Sequence, residues 1–254
     1  MKQWIPNSIT LLNLLCGCVA AVFAFNENLI VAGIFVGAGI LFDFFDGLAA
    51  RLLKVSSDLG GQLDSMADLI TSGLVPGIAM YHMMKIALGV DLFNDPFSFQ
   101  ITVGDYAIAH PFVPLVGFLI TAASALRLAR FNLDTRQTDS FIGLPTPANA
   151  ILIISLALIV QTTQIDWIYA GLSNPYILTG ITLLSCYLLN AELPLFALKF
   201  KSFGFKGNEI RWIFLIVSLI LIATLQLYAV PCIIVLYILM SLLNNQISQA
   251  SKSS

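Results

Sequence analysis

Residues 43–68 read DFFDGLAARLLKVSSDLGGQLDSMAD. Asp43, Asp46, Asp64 and Asp68 stand there in the order D-x-x-D-G-x-x-A-R, eight residues, then G-x-x-x-D-x-x-x-D. Apolar runs flank the stretch on both sides, so these carboxylates interrupt sequence that otherwise suits lipid. One uncompensated charge at the centre of a membrane helix costs about 2.5 to 3.5 kcal/mol, and four such charges need a purpose. At about 100° per residue, Asp43, Asp46, Gly47 and Ala50 share an arc of about 100° on one helix, and Gly60, Asp64 and Asp68 share about 80° on the next. The turn between them holds Lys54, Ser56, Ser57 and Asp58, of which Ser57 or Asp58 can cap the second helix. Two antiparallel helices can therefore bring all four carboxylates together.

The remainder of the chain sets the solvent. Of its 254 residues, 58% are hydrophobic and 10% charged, against about 25% charged in an ordinary soluble domain. Apolar stretches near the spanning length occur at roughly 8–25, 29–52, 60–88, 110–131, 148–163, 174–190, 211–228 and 230–245. Their length and Leu, Ile, Ala and Phe content suit helices that satisfy their own backbone, not the short alternating strands of a barrel. The predicted fold is an all-α polytopic bundle of about eight transmembrane helices, a single integral membrane domain over 1–254. Its motifs fall at about 6–150, further helices at about 151–245 and a polar tail at 246–254. The stretch from about 91 to 107, with Asp91, Asn94, Asp95, Pro96, Gly104 and Asp105, reads as a loop.

Basic residues fix an orientation, because cytoplasmic loops are rich in Lys and Arg. Lys2, Arg51, Lys54, Arg127, Arg130, Arg136, Lys199, Lys201, Lys206, Arg211 and Lys252 all fall on one side of an eight-helix path, and only Lys85 falls near the other. A multi-pass protein of the cytoplasmic (inner) membrane with both termini cytoplasmic is expected. The segment from Phe200 to Phe205, with its flanking lysines, reads as an interfacial loop attracted to anionic lipid. The first 25 residues resemble a signal peptide in outline. Asn7, Thr10 and Asn13, however, make a polar stripe on one helix face that a discarded leader would not need. Cys16, Cys18, Cys186 and Cys232 lack metal spacing and read as buried apolar residues. His82 and His110 are expected far from the carboxylates, without a catalytic role, and no nucleic-acid partner is expected.

Converging carboxylates need protons or cations as counter-charge. Oxygen ligands with open positions suit Mg²⁺ or Mn²⁺, and two divalent ions would roughly neutralise the set. Gly47, Ala50 and Gly60 leave room for a bulky ligand, and Arg51 can hold phosphate oxygens. Residues 43–68 resemble, at every defining position, the signature of the CDP-alcohol phosphatidyltransferases. That resemblance implies a helical membrane fold, usually a homodimer, and attack by a hydroxyl on the β-phosphorus of a CDP-linked lipid with release of CMP. It implies that Asp43, Asp46 and Asp64 ligate one metal and Asp43, Asp64 and Asp68 a second, with Asp68 as general base. It also assigns Gly47, Ala50, Arg51, Ser57 and Gly60 to the CDP portion.

Three further elements bear on the acceptor. Residues 5–13, IPNSITLLN, resemble the family's P-N-x-x-T-x-x-N start, which makes Asn7 and Thr10 candidates for binding the CDP-lipid. Residues 125–132, ALRLARFN, and 141–150, FIGLPTPANA, resemble elements of the serine-using branch. A serine acceptor carries a carboxylate that an arginine can bind, so Arg130 with Phe131, followed by Arg127 and Asn132, is the expected serine pocket. CDP-diacylglycerol, L-serine and the bilayer are the implied partners. Transfer to glycerol phosphate or inositol phosphate is the alternative. A divalent-cation transporter ranks lower, because Ile30–Gly39 and Gly73–Met80 carry no carboxylate relay across the membrane.

Overall fold

The computed structural model describes residues 2, 4–55, 57–90, 100–102, 107–109, 112–133, 140–196, 204 and 208–253. Helices α1 (Trp4–Phe25) and α2 (Leu29–Leu53) form an antiparallel pair joined by a tight turn, in which the Asn28 side chain caps α2 by accepting from Val31 N. Lys54 ends α2 in the left-handed region (φ 52°). Ser57 then caps α3 (Asp58–Asp68), its hydroxyl accepting from Gly60 N at 3.0 Å. A π-helical stretch, Leu69–Leu74, carries α3 without a break into α4 (Val75–Leu88). The rod expected over residues 60–88 is present, but it is widened in the middle.

Pro76 accounts for the widening. It has no N–H to offer the preceding turn, and its ring crowds the carbonyl four residues back. The π register relieves that crowding, with Val75 N bonding Ile70 O. Thr121 Oγ1 donates to the Gly73 carbonyl at 3.0 Å from a neighbouring helix, so a carbonyl within the irregular stretch is satisfied in the absence of water. From Val75 to Met84 every residue of α4 is buried, which makes it the central helix of the bundle.

A short 3₁₀ turn, Val113–Phe118, leads into α5 (Leu119–Leu133). Next come α6 (Thr146–Thr162), α7 (Asp166–Leu172), α8 (Pro175–Asn190), α9 (Glu209–Leu225) and α10 (Ala229–Ser253). Residues of α1, α2, α4, α5, α6 and α8 build the main core, with Ala20, Ala24, Ala32, Ala79 and Ala157 fully buried. Small side chains let helix backbones approach closely where lipid offers no hydrophobic drive for association. Large apolar side chains such as Leu15, Ile34 and Leu219 face outward, as lipid contact requires.

By length and apolarity, Trp4–Phe25, Leu29–Leu53, Val113–Leu133 and Glu209–Asn245 can each cross a membrane, and α7 with α8 makes a further span bent by 64°. The stretch Glu209–Asn245 is two helices, not one. The rings of Phe214 and Tyr237 lie 5.8 Å apart, whereas a straight helix would separate them by about 35 Å at 1.5 Å per residue. The chain reverses at Gln226 (φ 50°, ψ −118°), and α9 and α10 form the expected pair.

Three expectations change. The stretch expected as a loop, 91–107, holds β1 (Gln100–Thr102), which pairs antiparallel with β2 (Ala107–Ala109) at and just past its end. Helix α10 runs on to Ser253 through the stretch read as a polar tail beyond the last helix, because that stretch lacks the Gly and Pro that stop helices. Cys18 and Cys232 are exposed on the outer surface instead of buried, and all four cysteines are free. A second ladder, β3 (Ser140–Ile142) with β4 (Pro194–Phe196), precedes α6. It ends at Gly143, whose φ of 75° and closeness to the Leu189 carbonyl exclude a side chain. Pro145 and Pro147 then start α6. Asp91, Asn94, Asp95, Pro96, Gly104, Asp105, His110, Arg136, Lys199, Phe200, Lys201, Phe205 and Lys206 lie outside the described residues.

Candidate active site

The reversal between α2 and α3 brings Asp43, Asp46 and Asp64 together, with one carboxylate oxygen from each within 4.8 Å of the others. Asp46 is buried, and Asp43 and Asp64 are half-buried. Thr10 on α1 donates to Asp46 Oδ2. Asp64 Oδ1 is buried without a hydrogen-bond partner. A shielded carboxylate oxygen beside two further carboxylates is a costly arrangement for the protein alone. Three hard oxygen donors at this separation fit a Mg²⁺- or Mn²⁺-sized cation.

Asp68 lies one helical turn beyond Asp64 and is buried. Asn13 Nδ2 donates to its Oδ1 at 3.4 Å, and the buried Arg127 guanidinium of α5 is within electrostatic range. Four carboxylates therefore share one end of the bundle, three in a tight group and the fourth beside an arginine.

A cleft of about 270 Å³ opens beside them, lined by Pro6, Asn7, Thr10, Asp46, Gly47, Ala50, Val55, Ser57, Gly60, Gly61 and Asp64. Of the residues predicted to contact the CDP portion, Asn7, Thr10, Gly47, Ala50, Ser57 and Gly60 all border this cleft. Arg51 does not. It is exposed, and its Nε donates to the Gly47 carbonyl at 3.0 Å within its own helix.

The residues predicted for serine divide. Arg127 is buried, with Nε unpartnered, in electrostatic range of Asp68 and of Tyr237 on α10. Arg130 and Phe131 are exposed near the end of α5. Asn132 joins α5 to α3 instead, its Nδ2 donating to Ser65 Oγ at 2.9 Å. His82 lies beyond the far end of the π stretch, 3.6 Å from Glu27, which also meets Lys85 at 2.8 Å.

The sequence reading did not anticipate Thr71. Its hydroxyl meets Asn13 Oδ1 at 2.8 Å, which connects the π stretch to the residue that touches Asp68. The available signal was Pro76 inside an apolar run, which marks the turn before it as irregular.

The sequence profile of CDP-alcohol phosphatidyltransferase matches residues 3–185. The chain is 33% identical over 155 residues to the CDP-diacylglycerol--serine O-phosphatidyltransferase of Bacillus subtilis (strain 168), covering 61% of this chain and 76% of that one. A protein of the same name from Helicobacter pylori (strain ATCC 700392 / 26695) is 31% identical over 156 residues, covering 61% and 57%. The one from Mycobacterium tuberculosis (strain ATCC 25618 / H37Rv) is 26% identical over 189 residues, covering 72% and 58%. The match thus spans less than two thirds of the Helicobacter and Mycobacterium proteins, and more than two thirds of the Bacillus one. The aspartate group, its adjoining cleft and a profile match that runs from α1 into α8 have one consequence: the chain belongs to the CDP-alcohol phosphatidyltransferase family.

Proposed function

We propose that the protein transfers the phosphatidyl group of CDP-diacylglycerol to L-serine, giving phosphatidylserine and CMP. The observation that carries this reading is the meeting of Asp43, Asp46 and Asp64 beside the cleft, with Asp68 and Arg127 behind them. Asp43, Asp46, Asp64 and Asp68 would hold two Mg²⁺ or Mn²⁺ ions. Such ions, when bound, neutralise pyrophosphate oxygens and stabilise charge on the departing phosphate.

The chain's own groups do the rest. Gly47 and Gly60 present backbone to the nucleotide, and Asn7 and Ser57 border it with polar side chains. Asp68 accepts the proton of the serine hydroxyl as that oxygen bonds to the β-phosphorus; the bond from phosphorus to the CMP oxygen breaks, and CMP leaves. A hydroxyl is a weak nucleophile without such a positioned base. Arg127 faces the serine carboxylate, because a buried guanidinium with an unpartnered Nε suits an anionic acceptor. The names of the relatives support serine over glycerol phosphate and inositol phosphate.

The aspartate end faces the cytoplasm, as the distribution of Lys and Arg indicates. Serine and nucleotide enter from water there, and the acyl chains enter laterally from the bilayer of the cytoplasmic membrane. The working unit is a homodimer. Purified protein incubated with CDP-diacylglycerol, Mg²⁺ or Mn²⁺ and each labelled alcohol in turn tests the reading. CMP release that depends on serine supports it. Release with a different alcohol replaces the acceptor, and release with none in the presence of bound metal favours cation transport.

A further inference from the structure

From the geometry around the π-helical turn, we infer that Thr71 and Asn13 form a two-residue positioning device that sets the carboxylate of Asp68. The inference rests on the reading of Asp68 as the base in phosphatidyl transfer.

Asn13 lies on α1, and its side chain is fully buried. Its amide has two ends with different partners. The Nδ2 end donates to Asp68 Oδ1 at 3.4 Å, and the Oδ1 end accepts from Thr71 Oγ1 at 2.8 Å. An ionised carboxylate can only accept, so the NH₂ end must face Asp68 and the oxygen must face the hydroxyl. By donating to that oxygen, Thr71 steadies the amide whose orientation the Asp68 carboxylate sets. The same hydroxyl lies 3.1 Å from the Asn13 backbone carbonyl, so its single proton is shared between two acceptors of one residue, of which the amide oxygen is the nearer.

The surroundings fit this purpose closely. Thr71 is fully buried and is held between two glycines. A Cβ at Gly17 would collide with Thr71 Oγ1 and lie 2.9 Å from its backbone nitrogen. A Cβ at Gly39 would lie 2.7 Å from Thr71 Cγ2 and 2.8 Å from Asn13 Oδ1. Helices α1 and α2 therefore both meet the rod at Thr71 through a glycine, and the threonine and amide fill the space. The π stretch begins at the residue after Asp68, so its wider turn sets where Thr71 falls relative to the base. Single π turns inside α-helices often mark functional positions.

The device adds no atom to the reaction. It fixes the direction of the Asp68 oxygens, which matters because a misplacement of about 1 Å at a reacting group can cost about 100-fold in rate.

The test compares wild type, Thr71→Val, Thr71→Ser, Asn13→Leu and the Thr71→Val/Asn13→Leu double variant in serine-dependent CMP release, with thermal unfolding of each. Valine preserves shape and removes the hydroxyl. The expected result is a fall in kcat of about 10- to 100-fold for Thr71→Val, with KM for CDP-diacylglycerol within about twofold. Thr71→Ser should recover most of the rate. Because Thr71 acts through Asn13, the double variant should be no slower than Asn13→Leu alone. A Thr71→Val enzyme of normal kcat overturns the inference, as does a rate loss in the double variant equal to the product of the single losses. If Thr71→Val does not fold, the inference stands on Asn13→Leu, with loss of kcat at unchanged KM supporting it and normal kcat overturning it. A wild-type protein with no serine-dependent release instead removes the phosphatidyl-transfer reading itself, which keeps the two failures distinct.

Discussion

Thr10 on α1 donates its hydroxyl proton to Asp46 Oδ2 on α2, both side chains being buried. The hydroxyl also lies 3.1 Å from the Pro6 carbonyl, so the single proton chooses between its own helix and the carboxylate. Bonding to Asp46 fixes the direction of one oxygen and leaves the other for a cation. Partners of this kind typically change metal affinity or activity about 10- to 100-fold when removed. Thr10→Val should raise the Mn²⁺ or Mg²⁺ concentration for half-maximal CMP release by about tenfold, with activity recovered at saturating metal. Thr10→Ser should behave as wild type. An unchanged metal requirement in Thr10→Val would remove this role from the hydroxyl.

Gly47 and Gly60 border the same cleft, but their surroundings differ. A Cβ at Gly47 meets no protein atom within 4 Å, whereas one at Gly60 would lie 3.1 Å from both Asn7 Oδ1 and Ser57 Oγ. Gly47→Ala therefore costs the fold nothing and favours the helix by about 0.5 to 1 kcal/mol. The new methyl sits where the ligand is proposed to approach. Thermal unfolding should be unchanged or raised, while KM for CDP-diacylglycerol rises by about tenfold, equivalent to roughly 1.4 kcal/mol. Gly47→Ala with wild-type KM would show that the nucleotide does not approach this face of α2.

The site was legible because its spacing is helical and its chemistry is concentrated. Asp43, Asp46 and Asp64 could be placed together from residue intervals and a short turn alone, and Ser57 was readable as a cap. The apolar runs likewise gave the long helices, including the separation of α9 from α10. Side-chain partnership across helices was not legible. Nothing local in the sequence says that Asn13 meets Thr71, 58 positions away, or that Asn132 is used in bonding Ser65. The exposure of Arg130 and burial of Arg127 depend on the rotation of α5 about its axis, which neighbouring helices set.

Gly17 on α1 touches the backbone of the π stretch, and a Cβ there would lie 2.9 Å from Thr71 N and 3.0 Å from Thr71 Cα. Backbone atoms in a packed helix cannot step aside as a flexible side-chain end can. Gly17→Ala should destabilise the protein by about 1 to 3 kcal/mol, the usual range for overpacking. Gly37→Ala, whose Cβ meets nothing within 4 Å, is the control and should be neutral or slightly stabilising. Thermal unfolding in detergent checks both. Equal unfolding temperatures for the two variants would mean that α1 can move away from Thr71 without loss.

Arg127 and Arg130 are separated by less than one helical turn, but only Arg127 is buried and within electrostatic range of Asp68. An ammonium in place of the guanidinium keeps the charge and loses the fork geometry that grips a carboxylate. A hydrogen bond to a charged group contributes about 1.5 to 3 kcal/mol, so Arg127→Lys should raise KM for serine by about 10- to 100-fold. KM for CDP-diacylglycerol should change little, because Arg127 does not border the cleft. Arg130→Lys exchanges one exposed cation for another, and exposed ion pairs contribute about 0 to 1 kcal/mol, so its KM for serine should stay within about fivefold. Steady-state rates against serine at saturating CDP-diacylglycerol separate the two. A large effect confined to Arg130 would move the carboxylate-binding role to the exposed end of α5, where Phe131 is its neighbour.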